Sequence, residues 1–301
     1  MRHPISTAWI SGSGRSGTTW LGRLLAAHRD SALLYEPLHP GLASFPEDLN
    51  PAITDAGDRP YIRAGSNNRS WTNYISSILS GRGFTRRTLF TGIPKHQRPR
   101  AIWRAFTGKR LVVKEIRSNL LIEWLTGEFG VRTIVIVRHP CAVVASQLVR
   151  NWGTKRNVLD PFLSQPDFVE DHLAGCLDYL NGENLDTVPK QLAARWAIEN
   201  RAALEVARNN NRVLVVAYEQ LVLDSHAELR KAFEFLGWPV DDRVWRTVER
   251  HLNPEALSRP HDWLGQWQSR LDPRLVDDIL AVTRALGVTR YDERILPVAS
   301  C

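Results

Sequence analysis

Residues 11–20 read SGSGRSGTTW, a glycine-rich turn between an apolar strand (Ala8, Trp9, Ile10) and an apolar helix (Leu21, Leu24, Leu25). A turn of this kind cradles phosphate: its backbone N–H groups and the positive end of the helix it opens bind anionic oxygens. Glycines at 12, 14 and 17 let the chain approach that closely. The spacing fits GxxxxGK[ST] at Gly12, Gly17 and Thr19, but Thr18 stands where that pattern has lysine, and the nearby cation is Arg15. In a nucleoside-triphosphate loop the lysine neutralises the β and γ phosphates, and an acidic strand end helps hold magnesium. Here the best candidate strand for that acid, residues 133–137, runs instead into Arg138. A cation there repels a metal ion and welcomes a second phosphate.

Apolar runs predict strands at 7–11, 32–36, 110–115, 133–138 and 212–218, separated by helical stretches. The alternation predicts a P-loop-containing, three-layer α/β fold in which a central parallel sheet is flanked by helices. Ligands of such sheets bind at the carboxyl ends of the strands, which places Arg15, Glu36, Lys114 and Arg138 on one rim. Residues 71–80 and 191–208 read as helices, the second one long. Residues 37–109 otherwise read as a long segment rich in Pro, Gly, Asn and Ser, and residues 151–189 form a second insertion. Both are candidates for acceptor recognition, with wrapping of the core as the alternative. The whole chain, 1–301, reads as one domain.

Two motifs in order make the chain resemble the sulfotransferases that use 3′-phosphoadenosine 5′-phosphosulfate (PAPS), with carbohydrate-type members nearest in motif. The first is the [K/R]SGT[T/S][WF] loop, matched by Arg15, Ser16, Gly17, Thr18, Thr19 and Trp20. The second is a strand ending in Arg with Ser eight positions on in the next helix, matched by Arg138 and Ser146. The resemblance implies that the loop grips the 5′-phosphosulfate and that Arg138 and Ser146 grip the 3′-phosphate. Pro140 suits the first turn of that helix, and Ser146 lies ~9 Å further along its axis, at a second anion position. Segments 212–224 and 258–267 are weaker landmarks, adding Tyr218 and Arg259 as nucleotide contacts. The second departs from the family, which often has consecutive Arg, Lys and Gly near the C-terminus where this chain has Arg259, Pro260 and His261.

The implied reaction is in-line transfer of a sulfuryl group from PAPS, as co-substrate, to a hydroxyl of a glycan or small-molecule acceptor, without a metal. Glu36, in ALLYEPLHP, is the candidate general base; it closes the second strand and is expected to be extended before Pro37. The resemblance supports it, since carbohydrate sulfotransferases carry a YEP-type segment there. His39 is the runner-up. Arg15 and Lys114 are the charge stabilisers, Arg15 with a planar fork for two oxygens. Arg117 is a candidate contact for a sulfated or acidic acceptor. Trp20 either flanks the adenine or belongs to the core, and Trp124, Trp196 and Trp245 read as core.

Lys and Arg exceed Asp and Glu by 39 − 32 = 7, a balance that favours a polyanionic ligand. Basic helices with interleaved acids argue against nucleic acid as a partner. Three cysteines, Cys141, Cys176 and Cys301, form no disulfide or zinc pattern. No apolar run reaches the ~18 residues of a membrane span. Carbohydrate sulfotransferases of the secretory pathway carry a membrane anchor for which this sequence has no room, so a cytoplasmic, bacterial location is expected. A P-loop small-molecule kinase and a non-catalytic nucleotide-binding regulatory protein are the alternatives.

Overall fold

The computed structural model describes residues 6–28, 30–42, 49, 59–91, 93, 95–153, 157–252 and 254–298. Five strands, β1 (Ser6–Ser11), β2 (Ser31–Tyr35), β3 (Arg110–Lys114), β4 (Arg132–Val137) and β5 (Val213–Ala217), form one sheet. Every pairing is parallel, in the order β2-β3-β1-β4-β5. Each expected strand is present to within one residue, and the central ones are apolar on both faces, as burial on both faces requires.

Side-chain alternation divides the core. Ala8, Ile10, Val112, Ile134 and Ile136 face a layer with Leu21, Leu24 and Leu25 of α1 (Thr18–Leu25). Trp9, Leu111 and Val113 face the opposite side with Trp71, Ile75 and Ile78 of α2 (Arg69–Leu79). Residues 37–109 are less irregular than the sequence implied: besides α2 they hold α3 (Arg86–Phe90) and α4 (Arg98–Thr107), both packed on β2. Thr85 and Thr88 close a capping box on α3, and a Pro in its first turn starts α4; these local signals had escaped the composition. Residues 43–48, 50–58 and 154–156, parts of the two expected insertions, lie outside the described residues, as does Cys301.

Next come α5 (Ile122–Phe129), α6 (Pro140–Leu148) and the long α7 (Val188–Asn209). Val135 and Val137 of β4 meet α6, α7 and α8 (Pro273–Ala285) in a third cluster, on the face that also carries Trp9. Trp124 and Trp196 are buried as expected and Trp245 is half-buried. Among the described residues no helix is long and apolar enough to cross a membrane.

Candidate active site

The carboxyl ends of β1, β2, β3 and β4 open on one cavity of about 870 Å³. Arg15, Glu36, Lys114 and Arg138, the four residues assigned to one rim, all line it, together with Gly17, Thr18, Thr19, Trp20, His39, Arg117 and Tyr218.

Polar side chains hold the glycine loop from behind, those of Asn200 and Gln147 buried. Asn200 Nδ2 donates to Ser13 Oγ (3.0 Å), Gln147 Nε2 to the Gly14 carbonyl (2.9 Å), and Arg138 to the Arg15 carbonyl (3.2 Å). Below them Ser118 Oγ donates to Ser11 Oγ (3.0 Å), which donates to Asn119 Oδ1 (2.9 Å). Gly17 caps α1 at φ 97°, and a Cβ there would lie 2.5 Å from the Tyr218 ring, so both backbone shape and crowding demand glycine.

Arg15 holds a left-handed φ of 81° and its Nε donates to Ser146 Oγ (3.0 Å) on α6. The guanidinium assigned to the first anion position therefore reaches the second. Burial, then Arg150 and Arg138, lower its pKa, the signature of cations gathered without an acid between them. The Arg138 guanidinium lies 4.3 Å from the Tyr218 ring centroid. Ser16 Oγ and Arg138 Nε are buried with no hydrogen-bond partner among the described residues. Buried orphans of this kind cost ~1–3 kcal/mol each unless a ligand meets them.

On the opposite wall, Glu36 is buried between two cations. Lys114 Nζ donates to its Oε1 and Arg117 to its Oε2 (2.9 Å). Burial pushes the Glu36 carboxyl up, but Lys114 and Arg117 outweigh it and hold the pKa below the ordinary value. The backbone differs from the extended form expected before Pro37: Glu36 has φ 44°. Its N–H still donates to the Lys114 carbonyl (2.7 Å), so the sheet ladder runs one residue past β2 and the chain turns there. The paired side chain overrides the proline's preference. Glu115 underlies this wall, accepting from the amides of Leu38 (2.7 Å), Ile116 (2.8 Å) and Arg117 (3.0 Å). His39 Nδ1 accepts from Gly41 N–H (2.9 Å), which leaves the neutral ring its proton on Nε2.

Several lining residues had no signal in the sequence. Trp263 Nε1 donates to Tyr218 OH (2.9 Å) and Trp20 packs edge-on to Tyr218 at 5.8 Å, forming an aromatic corner. Of segment 258–267 it is Trp263 that reaches the cavity, while Arg259 is exposed and is not among the lining residues. Arg59 and Arg195 also line it, both bonded to Glu199 Oε1 (2.7 and 3.1 Å), and Trp152 covers Gly14. Glu219 points away, accepting from His139 N–H (2.8 Å) and Tyr291 OH (2.9 Å) and so fixing the turn after Arg138. Among the described residues no group of three or more His, Cys, Asp and Glu is placed to hold a metal ion.

The model of the sulfotransferase family matches residues 130–242, a span that includes Arg138, Ser146 and Tyr218. Of the two motifs behind the sequence resemblance, that span contains the strand-end Arg138 with Ser146, while the glycine loop lies before it. No curated protein matches the chain in sequence. Among solved structures, the sulfotransferase domain of the Synechococcus PCC 7002 olefin synthase is similar over 98% of this chain and 98% of its own, at 18% identity and a TM-score of 0.47. The sulfotransferase domain from the curacin biosynthetic pathway is similar over 95% of this chain and 99% of its own (16% identity, TM-score 0.48). A mouse sulfotransferase crystallised with PAP is similar over 94% of this chain and 84% of its own (14% identity, TM-score 0.47).

Proposed function

We propose that this protein is a PAPS-dependent sulfotransferase, a single domain that transfers a sulfuryl group to an acceptor hydroxyl with Glu36 as general base. The observation that carries the reading is the junction of Arg15, Arg138 and Ser146 beside two buried polar atoms, Ser16 Oγ and Arg138 Nε, that lack partners among the described residues. A ligand with anions at both ends of an adenosine meets those groups. The glycine loop with Ser16, Thr18 and Thr19 would hold the 5′ end, and Arg138, Ser146 and Arg15 the 3′-phosphate. Tyr218, Trp20 and Trp263 offer flat surfaces for the base. PAPS seated there would supply a sulfuryl group on a phosphate leaving group.

The chain's own work is then positioning and electrostatics. Glu36, kept ionised by Lys114 and Arg117, accepts the acceptor's hydroxyl proton at its carboxylate. Lys114 lies between that carboxylate and the loop's helix, where it neutralises charge on the transferred group or on the departing phosphate. His39 is the weaker base, because taking a proton at Nδ1 would break its bond from Gly41. The acceptor is a hydroxyl of a glycan or small molecule, and the expected location is the cytoplasm.

The test is a transfer assay with PAPS labelled on sulfur, read as labelled product and released adenosine 3′,5′-bisphosphate across a panel of glycan and small-molecule hydroxyl acceptors. Wild type should release the bisphosphate in step with product, whereas binding of the nucleotide without release across the whole panel would favour the regulatory alternative.

A further inference from the structure

Between Gly81 and Arg110 the chain carries nine Lys and Arg and no Asp or Glu. This stretch folds into α3 and α4, outside the cavity, against the edge strand β2. Ile102, Trp103 and Phe106 of α4 are 40%, 59% and 68% exposed, three of the five large hydrophobic residues that the described chain leaves exposed. Helical spacing sets them within an arc of about 100°. Beside them lies an apolar groove of about 770 Å³, lined by Phe84, Leu89, Phe90 and Phe106, with Arg82 and Arg86 among its walls. Arg100 stands one turn before Trp103 on α4, and Arg82, Arg86 and Arg100 are all exposed.

Charge and apolarity on one face select its occupant. A soluble polyanion would use the guanidinium groups but leave three protruding hydrophobic side chains in water. An ordinary protein partner would have to supply enough acid to balance an acid-free stretch. An anionic bilayer surface answers both needs, since its phosphates meet the cations and its headgroup boundary takes up aromatic side chains. At ten residues α4 is far too short to span.

We propose that the α3–α4 face docks the protein on an anionic lipid surface, Trp103 and Phe106 entering the headgroup boundary while Arg82, Arg86 and Arg100 meet lipid phosphates. The proposal is independent of the reading of the cavity.

It is tested by co-sedimentation of the full chain with vesicles of phosphatidylcholine alone and with vesicles that also contain phosphatidylglycerol. Wild type should bind the second kind only, less as salt is raised, and the pair Trp103→Ser/Phe106→Ser should bind about tenfold more weakly. Circular dichroism and thermal denaturation check that the variant is folded. The pair Arg82→Glu/Arg86→Glu, which leaves the apolar residues in place, should lose binding as well. Sedimentation with neither vesicle, equal sedimentation with both, or unchanged binding by the Ser pair overturns the proposal. The last result identifies a surface for soluble polyanions, and a wild-type dimer that ignores vesicles and is lost in the Ser pair identifies a protein interface.

Discussion

Arg15 Nε donates to Ser146 Oγ at 3.0 Å, tying a left-handed loop residue to a helix 131 positions later. One guanidinium thus joins the two proposed anion positions. Ser146→Ala is expected to weaken binding of adenosine 3′,5′-bisphosphate by about 1 kcal/mol and Arg15→Ala by ~1.5–3 kcal/mol, the ranges for neutral and charged hydrogen bonds. In a double-mutant cycle the two losses should fail to add by ~0.5 kcal/mol or more, because the residues share one contact. Strict additivity in calorimetry would separate them.

Glu36→Gln should bind the bisphosphate normally and lose ~10²–10⁴-fold in turnover, the range for a general base. His39→Ala should lose far less, and a reversal of this order would move the base to His39. With its pKa lowered, Glu36 stays ionised through neutral pH, and turnover falls only as acid titrates it below the ordinary carboxylate value. Lys114→Met removes one cation, burial then counts for more, and the acid limb of kcat/KM should move to higher pH.

Gly17→Ala puts a Cβ 2.5 Å from the Tyr218 ring at φ 97°. The expected cost is ~1–3 kcal/mol of stability, with a larger proportional loss of nucleotide affinity as Tyr218 and the loop move apart. Chemical denaturation and calorimetry on the same variant read both effects, and unaltered affinity would place the loop away from the nucleotide.

His139 is buried, stacked on Trp267 at 4.5 Å, and its side chain caps α6 by accepting from Cys141 N–H (3.2 Å). Burial pushes its pKa from 6.5 down to about 4. Between those values the unfolded chain binds a proton that the folded chain refuses. This ring therefore contributes no slope above pH 6.5 and takes away up to ~1.4 kcal/mol per pH unit as pH falls toward 4. His139→Asn, which keeps a capping oxygen, should flatten that part of the denaturation profile. An unchanged slope would show that the ring titrates normally.

The sheet could be read from the sequence because strands buried on both faces are nearly pure apolar runs, and the glycine loop because its spacing follows from backbone geometry. Arg138 and Ser146 were singled out by the family resemblance, and the fold brings both beside Arg15. What escaped is made by contacts distant in sequence: Glu199 binding Arg59 across 140 positions, Asn200 reaching Ser13, Trp263 meeting Tyr218. None of these residues carries a local pattern that marks its partner. The turn at Glu36 was missed for a related reason, since the proline rule sees only neighbours while Glu36 is paired with Lys114 at the end of β3 and Arg117 just beyond it.

The account rests on an anion site for a 3′-phosphate at the end of β4, and calorimetric titration reads it directly. Adenosine 3′,5′-bisphosphate should bind wild type with micromolar or lower Kd, ATP with magnesium at least about tenfold more weakly, and Arg138→Ala should lose ~1.5–3 kcal/mol for the bisphosphate alone. Equal affinity for the two nucleotides, or a bisphosphate isotherm unmoved by Arg138→Ala, would contradict it.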